Sequence, residues 1–207
     1  AIIGLSGRYP GAANINEFWA NLKSGKDSVT EIPKNRWPIE SFYDEEKGKE
    51  GKSYSKWGGF IEDVDKFDAL FFNISPREAE LIDPQQRLFL QTVWEAIEDA
   101  GYTQQQLQNI NGSGNSELGG KVGVYVGVMY EEYQLLGVEE RYKGNFISPG
   151  GNPSSIANRV SYFFNFHGPS MAIDTMCSSS LTAIHLACKD LMLGEADVAI
   201  AGGVNVS

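Results

Sequence analysis

Ser170-Met171-Ala172-Ile173-Asp174-Thr175-Met176-Cys177-Ser178-Ser179-Ser180-Leu181-Thr182-Ala183 is the stretch that decides the fold of this chain. Its first five residues read as a strand restarted by Gly168-Pro169. From about Ser179 the positions Leu181, Ile184, His185, Ala187, Cys188, Leu191 and Met192 take up helical spacing. Gly194 stands where a left-handed helix cap is wanted, and the apolar run Ala196 to Val204 reads as another strand. Strand, turn, helix and strand in succession predict a layered α/β fold.

The turn inside that stretch is the one constellation that carries chemistry. Thr175 to Ser180 place a cysteine, followed by small hydroxyl residues, at a sharp change of direction. A thiol at the start of a helix meets unpaired N–H groups and the positive end of the helix dipole. Both favour negative charge on sulfur and supply donors for a developing oxyanion. The three serines are positioned to cap those donors, and their size lets a substrate approach the backbone. Position alone also allows a cysteine that merely packs, so both readings of Cys177 stand at this point. Cys188 lies eleven residues further along the same helix, roughly 16 Å away at ~1.5 Å per residue, which excludes a disulfide and predicts packing on the apolar side. His185, roughly 12 Å along the axis, is out of reach of the thiol and is expected in the core. His167 precedes Gly168-Pro169 and reads as a surface or turn histidine.

Outward from there, Lys121 to Val128 reads as a central strand and Asn152 to Phe164 as a helix carrying Ile156, Val160 and Phe163. Asn109 to Gly120, rich in Gly, Asn and Ser, reads as a flexible connection. Ser75-Pro76-Arg77-Glu78 and Asp83-Pro84-Gln85-Gln86 are helix starts with Pro at the first helical position, and the second opens an amphipathic helix stopped at Gly101. Asn14 with Glu17 predicts a further helix, ended by Gly25. The run Ala1 to Leu5 predicts a buried strand. Lys26 to Lys56 loses periodicity and reads as a surface loop long enough to suggest a role of its own. The chain opens and closes on apolar runs, so both ends look cut from something longer.

The chain has 207 residues, 42% of them hydrophobic and 12% aromatic, enough for a core. Its 27 acidic against 17 basic side chains leave a net charge of −10, which argues against a phosphate-backbone binder, so no nucleic-acid partner is expected. Two cysteines and two histidines are too few for a typical structural zinc site or a disulfide framework. No apolar run approaches the length a bilayer needs, and no signal-peptide layout is seen. A soluble, cytoplasmic, reducing-compartment protein without membrane contact is expected. Neither Gly4-Leu5-Ser6-Gly7 nor Gly120, Gly123 and Gly127 fit a dinucleotide-binding turn, and there is no Gly-x-Ser-x-Gly elbow or Walker-type loop. The acid pairs Glu131-Glu132 and Glu139-Glu140 read as solvated faces.

The segment Asp174 to Ala183 resembles the active-site segment of β-ketoacyl synthases, specifically ketosynthase domains of modular polyketide synthases. Ile3 to Gly11, Phe72 to Ala79 with Asp83 to Arg87, Trp94 to Tyr102, Gly123 to Gly127, Asn158 to Tyr162 and Gly202 to Asn205 follow in the family's order, so the resemblance covers nearly the whole chain. It implies a thiolase-like α/β fold of two similar halves, with residues 1–207 the N-terminal part, a mixed β-sheet with helices on both sides, and the C-terminal half absent. It implies Cys177 as the acyl-accepting nucleophile and Met176 and Met129 as residues lining the acyl pocket, although both methionines also have an ordinary packing role. The substrates would ride on the phosphopantetheine of an acyl carrier protein, with no cofactor and no metal bound by the domain itself. The full ketosynthase would be a homodimer. Met176 before the cysteine and the Lys/Gly-rich insertion around Lys47 to Lys52 resemble assembly lines served by a separate acyltransferase.

The family's His-Gly-Thr-Gly-Thr and later Gly-His motifs do not occur in these residues, and neither His167 nor His185 takes their roles. The resemblance therefore implies that a parent chain condenses while this piece alone does not. Two further readings stand beside condensation: a non-elongating ketosynthase that only transfers the acyl chain, and a non-catalytic interaction module whose cysteine packs.

Overall fold

A computed structural model describes residues 1–110, 120–130, 132–145 and 150–206. The connection expected over 109–120 lies mostly outside the described residues, as does Glu131 of the first acid pair. The chain divides into two compact units, one of Ser6–Val64 and one of Ala1–Leu5 with Asp65–Ser207.

In the smaller unit α1 (Ile15–Ser24) starts and stops as expected. Asn14 Oδ1 accepts from Glu17 N–H at 2.9 Å, and Gly25 turns out of the helix with φ 67°. The segment expected as loop is more ordered than its sequence suggests. β1 (Val29–Glu31) pairs antiparallel with β2 (Trp57–Gly59), Thr30 opposite Gly58, and the chain between them includes α2 (Ile39–Phe42). Lys56 ties the ribbon with an ion pair to Glu31 at 2.8 Å. Strands of three residues carry no readable alternation, which is why the ribbon is invisible to pattern reading.

In the larger unit α3 (Pro76–Leu81) and α4 (Pro84–Asp99) are capped by Ser75 and Asp83, whose side-chain oxygens accept from Glu78 N–H at 3.2 Å and Gln85 N–H at 2.8 Å. α5 (Gln104–Gln108) opens on a capping box of Thr103 and Gln106. β3 (Val122–Gly127) follows, then α6 (Tyr133–Tyr142), α7 (Pro153–Phe164), β4 (Ser170–Ile173), α8 (Ser179–Leu193) and β5 (Val198–Gly203). The order β4-β3-β5 makes β3 central, and both pairings are parallel, with Val124 opposite Ser170 and Ile200. The layered α/β expectation is met with helices on both faces. The parallel sense belongs to this sheet and the antiparallel sense to the β1–β2 ribbon.

β3 is buried along its whole length because each face meets a helix layer. Val122, Val124 and Val126 join Leu90, Val93 and Ile97 of α4 and Ile156, Val160 and Phe164 of α7 in the main core. On the opposite face Tyr125 packs with Ala183 and Ala187 of α8. The helix therefore rests on the stripe Ser179, Ala183 and Ala187, which recurs every fourth residue. This overturns the face expected from the larger apolar side chains. Leu181 is 72% exposed and Met192 80%, and His185 and Cys188, expected to pack, are both exposed. A second correction falls on the opening run. Ala1 to Leu5 forms no strand and Ile2 is 89% exposed. Its backbone finds the end of α4 instead of a strand neighbour: Leu5 N–H donates to Asp99 Oδ2 at 2.9 Å, and a Cβ on Gly4 would collide with the Ala96 carbonyl.

One hydrogen bond links the sheet to the far end of α8, from Tyr125 OH to Asp190 Oδ2 at 2.7 Å. The fully buried phenol is held well above its usual range, first by burial and then by the bond to the Asp190 carboxylate. An unfolded chain ionises this phenol near the ordinary 10.0, whereas the folded chain keeps it protonated to higher pH. Stability is thus unaffected below that point and falls as pH rises through it. Urea unfolding of Tyr125→Phe is expected to show a loss of about 1.5–3 kcal/mol at neutral pH, and a shallower alkaline decline than the parent.

Candidate active site

β4 ends at Ile173 and α8 begins at Ser179, so the chain reverses within a few residues. Met176 makes the reversal, with a φ of 59° in the left-handed region that L side chains rarely adopt. Its N–H donates to Asp174 Oδ1 at 2.8 Å. The Ser179 hydroxyl accepts from Thr175 N–H at 3.0 Å and donates to the Met176 carbonyl at 2.6 Å. One side chain, only 6% exposed, is thus bonded to both residues before the cysteine. Thr175 Oγ1 lies 2.9 Å from the Ser178 hydroxyl and 3.0 Å from that of Thr182, which donates to the Ser178 carbonyl at 3.1 Å. Capping of α8 by these serines is the expectation from sequence. Ser178 at the N-cap makes no such bond, because its hydroxyl is turned back 2.8 Å from the Thr175 carbonyl.

Two glycines let the start of α8 lie directly on the sheet. A Cβ on Gly127, at the end of β3, would stand 2.6 Å from Ser180 N and 2.7 Å from the Ser179 carbonyl carbon. One on Gly203, at the end of β5, would run into Ser180 Oγ. Gly127 is in register with Ile173 and with Gly203, so the turn sits at the carboxyl ends of three parallel strands, the edge where open α/β sheets hold ligands.

Cys177 follows Met176 on this turn, exposed and with a free thiol. Met176 is 66% exposed; Met129 is half-buried two residues beyond the end of β3. The fold thus brings Met176 and Cys177 together on the elbow and leaves Met129 just past the same sheet edge. His167 is exposed, as a turn histidine should be, and the exposed His185 stands two turns along α8. Sequence pattern alone does not mark Ser179 as the buried clamp or Gly127 and Gly203 as the seat of the helix. The available signal is that each glycine lies one residue before the end of a predicted strand, where a close backbone approach is a standing reason for glycine.

A separate cavity of about 460 Å³ is lined by residues that include Phe72, Asn73, Leu90 and Tyr162, with the Arg159 to Glu78 ion pair at 3.0 Å on its wall. None of Cys177, Met176 and Met129 lines it. Among the described residues no group of His, Cys, Asp and Glu could hold a metal ion, and no helix is long and apolar enough to cross a membrane.

Known proteins resemble this chain along its whole length. The family model described as the β-ketoacyl synthase N-terminal domain matches residues 1–207. Polyketide synthase PksL of Bacillus subtilis is 65% identical over 207 residues, covering 100% of this chain and 4% of the relative. Polyketide synthase ThaG of Burkholderia thailandensis is 58% identical over the same length and again 4% of the relative. Among solved structures, the oxazolomycin ketosynthase domain OzmH KS7 of Streptomyces albus superposes with a TM-score of 0.92 at 51% identity, the chain covering 34% of it. The ketosynthase from module 6 of the bacillaene synthase of Bacillus subtilis gives 0.85 at 41%, with 32% covered. The chain thus spans about a third of these solved ketosynthase chains and a small fraction of the curated relatives. From the elbow at Cys177 to the match along all 207 residues, the observations converge, and the chain belongs to the β-ketoacyl synthase family through its N-terminal domain.

Proposed function

We propose that the protein carrying these residues is a polyketide-assembly ketosynthase in which Cys177 captures the growing chain. The observation that carries this reading is an exposed, free thiol on a strained turn at the carboxyl edge of a parallel sheet. An acyl group arrives as a thioester on the phosphopantetheine arm of an acyl carrier protein. The Cys177 sulfur bonds to the carbonyl carbon, the carbon–sulfur bond to pantetheine breaks, and the departing thiol takes up the proton that Cys177 gave up. The Cys177 N–H, at the turn into α8, holds the thioester oxygen as its charge develops. Met176 and Met129 line the path of the acyl chain.

In the second step a malonyl-type unit on another carrier loses carbon dioxide. The electrons of the broken bond form an enolate that attacks the acyl-Cys177 carbonyl and returns the cysteine as a thiolate. Covalent capture divides one hard condensation into two easier steps. The full ketosynthase is further proposed to be a homodimer, with a separate acyltransferase supplying the extender.

Elongation and mere transfer are separated by one assay on the full-length polypeptide. Once Cys177 is loaded, a malonyl carrier is added. Carbon dioxide release with a β-ketoacyl carrier two carbons longer supports condensation. Return of the acyl group to a carrier without carbon dioxide release overturns condensation in favour of a transfer-only enzyme.

A further inference from the structure

We propose that Ser179 is a positioning residue that aims the Cys177 N–H at the reacting thioester oxygen. The inference rests on the reading of Cys177 as acyl acceptor. A peptide group is planar, and its C=O and N–H point in opposite directions. The peptide joining Met176 to Cys177 is oriented by what holds its carbonyl. That carbonyl accepts from the Ser179 hydroxyl at 2.6 Å and from the Ser179 N–H at 3.1 Å. Both donors lie on the side of the peptide opposite to the Cys177 N–H, which is thereby turned away from the first turn of α8.

The other half of the Ser179 hydroxyl fixes the preceding residue by accepting from Thr175 N–H at 3.0 Å. The left-handed Met176 is thus clamped from both sides by one buried side chain. A residue in that conformation persists only when its surroundings over-determine it. Of the three serines after Cys177, only Ser179 is buried. Its neighbour Ser178 bonds to Thr175 and does not touch the Met176 carbonyl. Gly127 beneath Ser179 lets the clamp sit close to the sheet.

An N–H that stabilises an oxyanion acts on attack at a thioester carbonyl and has no part in displacement at the saturated carbon of iodoacetamide. Two rates on the same sulfur therefore separate aiming from exposure or folding. In the full-length polypeptide, Ser179→Ala is expected to load Cys177 from butyryl-pantetheine about ten-fold more slowly, with the thioester concentration at half-maximal rate changed less than about two-fold. Alkylation of Cys177 by iodoacetamide, followed by peptide mapping with Cys188 as internal reference, is expected to stay within about two-fold of the parent. Ser179→Thr keeps the hydroxyl and is expected to load within about three-fold of the parent, which keeps the inference testable if the alanine variant does not fold.

Unchanged loading by Ser179→Ala overturns the inference, as does an equal fall in loading and alkylation, which marks a merely structural role. A folded threonine variant that loads as slowly as the alanine variant overturns it too. A parent protein that takes no acyl group on Cys177 overturns the acyl-acceptor reading itself, whereas normal loading by both parent and Ser179→Ala removes the aiming role alone.

Discussion

Replacing Cys177 by alanine is expected to abolish covalent acyl loading, a loss of at least about 10⁴-fold, while leaving the fold intact. The thiol is exposed and free, so its removal empties no core and breaks no hydrogen bond of the elbow. Thermal unfolding of Cys177→Ala should therefore match the parent. Cys188 serves as the built-in comparison, being also exposed and free but within α8, without the left-handed turn or the strand ends beneath it. Cys188→Ala is expected to load normally. A purely packing or interaction role predicts the opposite pattern, with loading absent in every variant including the parent.

The second large effect is expected at Gly127. A methyl group there would stand 2.6 Å from Ser180 N and 2.7 Å from the Ser179 carbonyl carbon, both backbone atoms that no rotamer change can move. Gly127→Ala must push the start of α8 off the sheet, at a cost of about 3 kcal/mol, the upper end of ordinary overpacking. The displacement falls on the residues that clamp Thr175 and Met176. Acyl loading is therefore expected to fall about 100-fold even at temperatures where the variant is folded, since a shift of about an ångström in a reacting group has that effect. Urea unfolding and loading rate measured on the same preparation check both halves. Parent-like stability would show that α8 is not seated on Gly127.

Much of this fold is legible in local sequence because its signals are local. Asn14, Ser75 and Asp83 cap helices by bonds within three residues, and Gly25, Gly101 and Gly194 leave them in the left-handed conformation. Val122 to Gly127 announces a strand buried on both faces. The hidden part is which face of an element finds a neighbour. Periodicity identifies α8 as a helix, yet its larger apolar side chains stay exposed while the small stripe of Ser179, Ala183 and Ala187 is buried. The reason lies on another segment: on the facing side of β3 the Tyr125 ring folds over Gly123 and packs on Ala183 and Ala187, and Gly127 lets the backbone of Ser179 and Ser180 come close.

The opening run shows the same limit. Ala1 to Leu5 has strand composition, but a strand needs a partner, and here the Leu5 N–H goes to Asp99. At the site, the cysteine between strand and helix is recognisable from its neighbours. The second role of Ser179 is not, because its partners Thr175 and Met176 are brought to it only by the elbow.

In the proposed reaction Cys177 takes up acyl groups as a thioester. The most direct test is intact mass of the full-length polypeptide before and after incubation with butyryl-pantetheine, with the adduct mapped by peptide fragmentation. A single butyryl group on Cys177, none on Cys188 and none in Cys177→Ala, is the expected result. No adduct on Cys177, or equal labelling of Cys188, would contradict it.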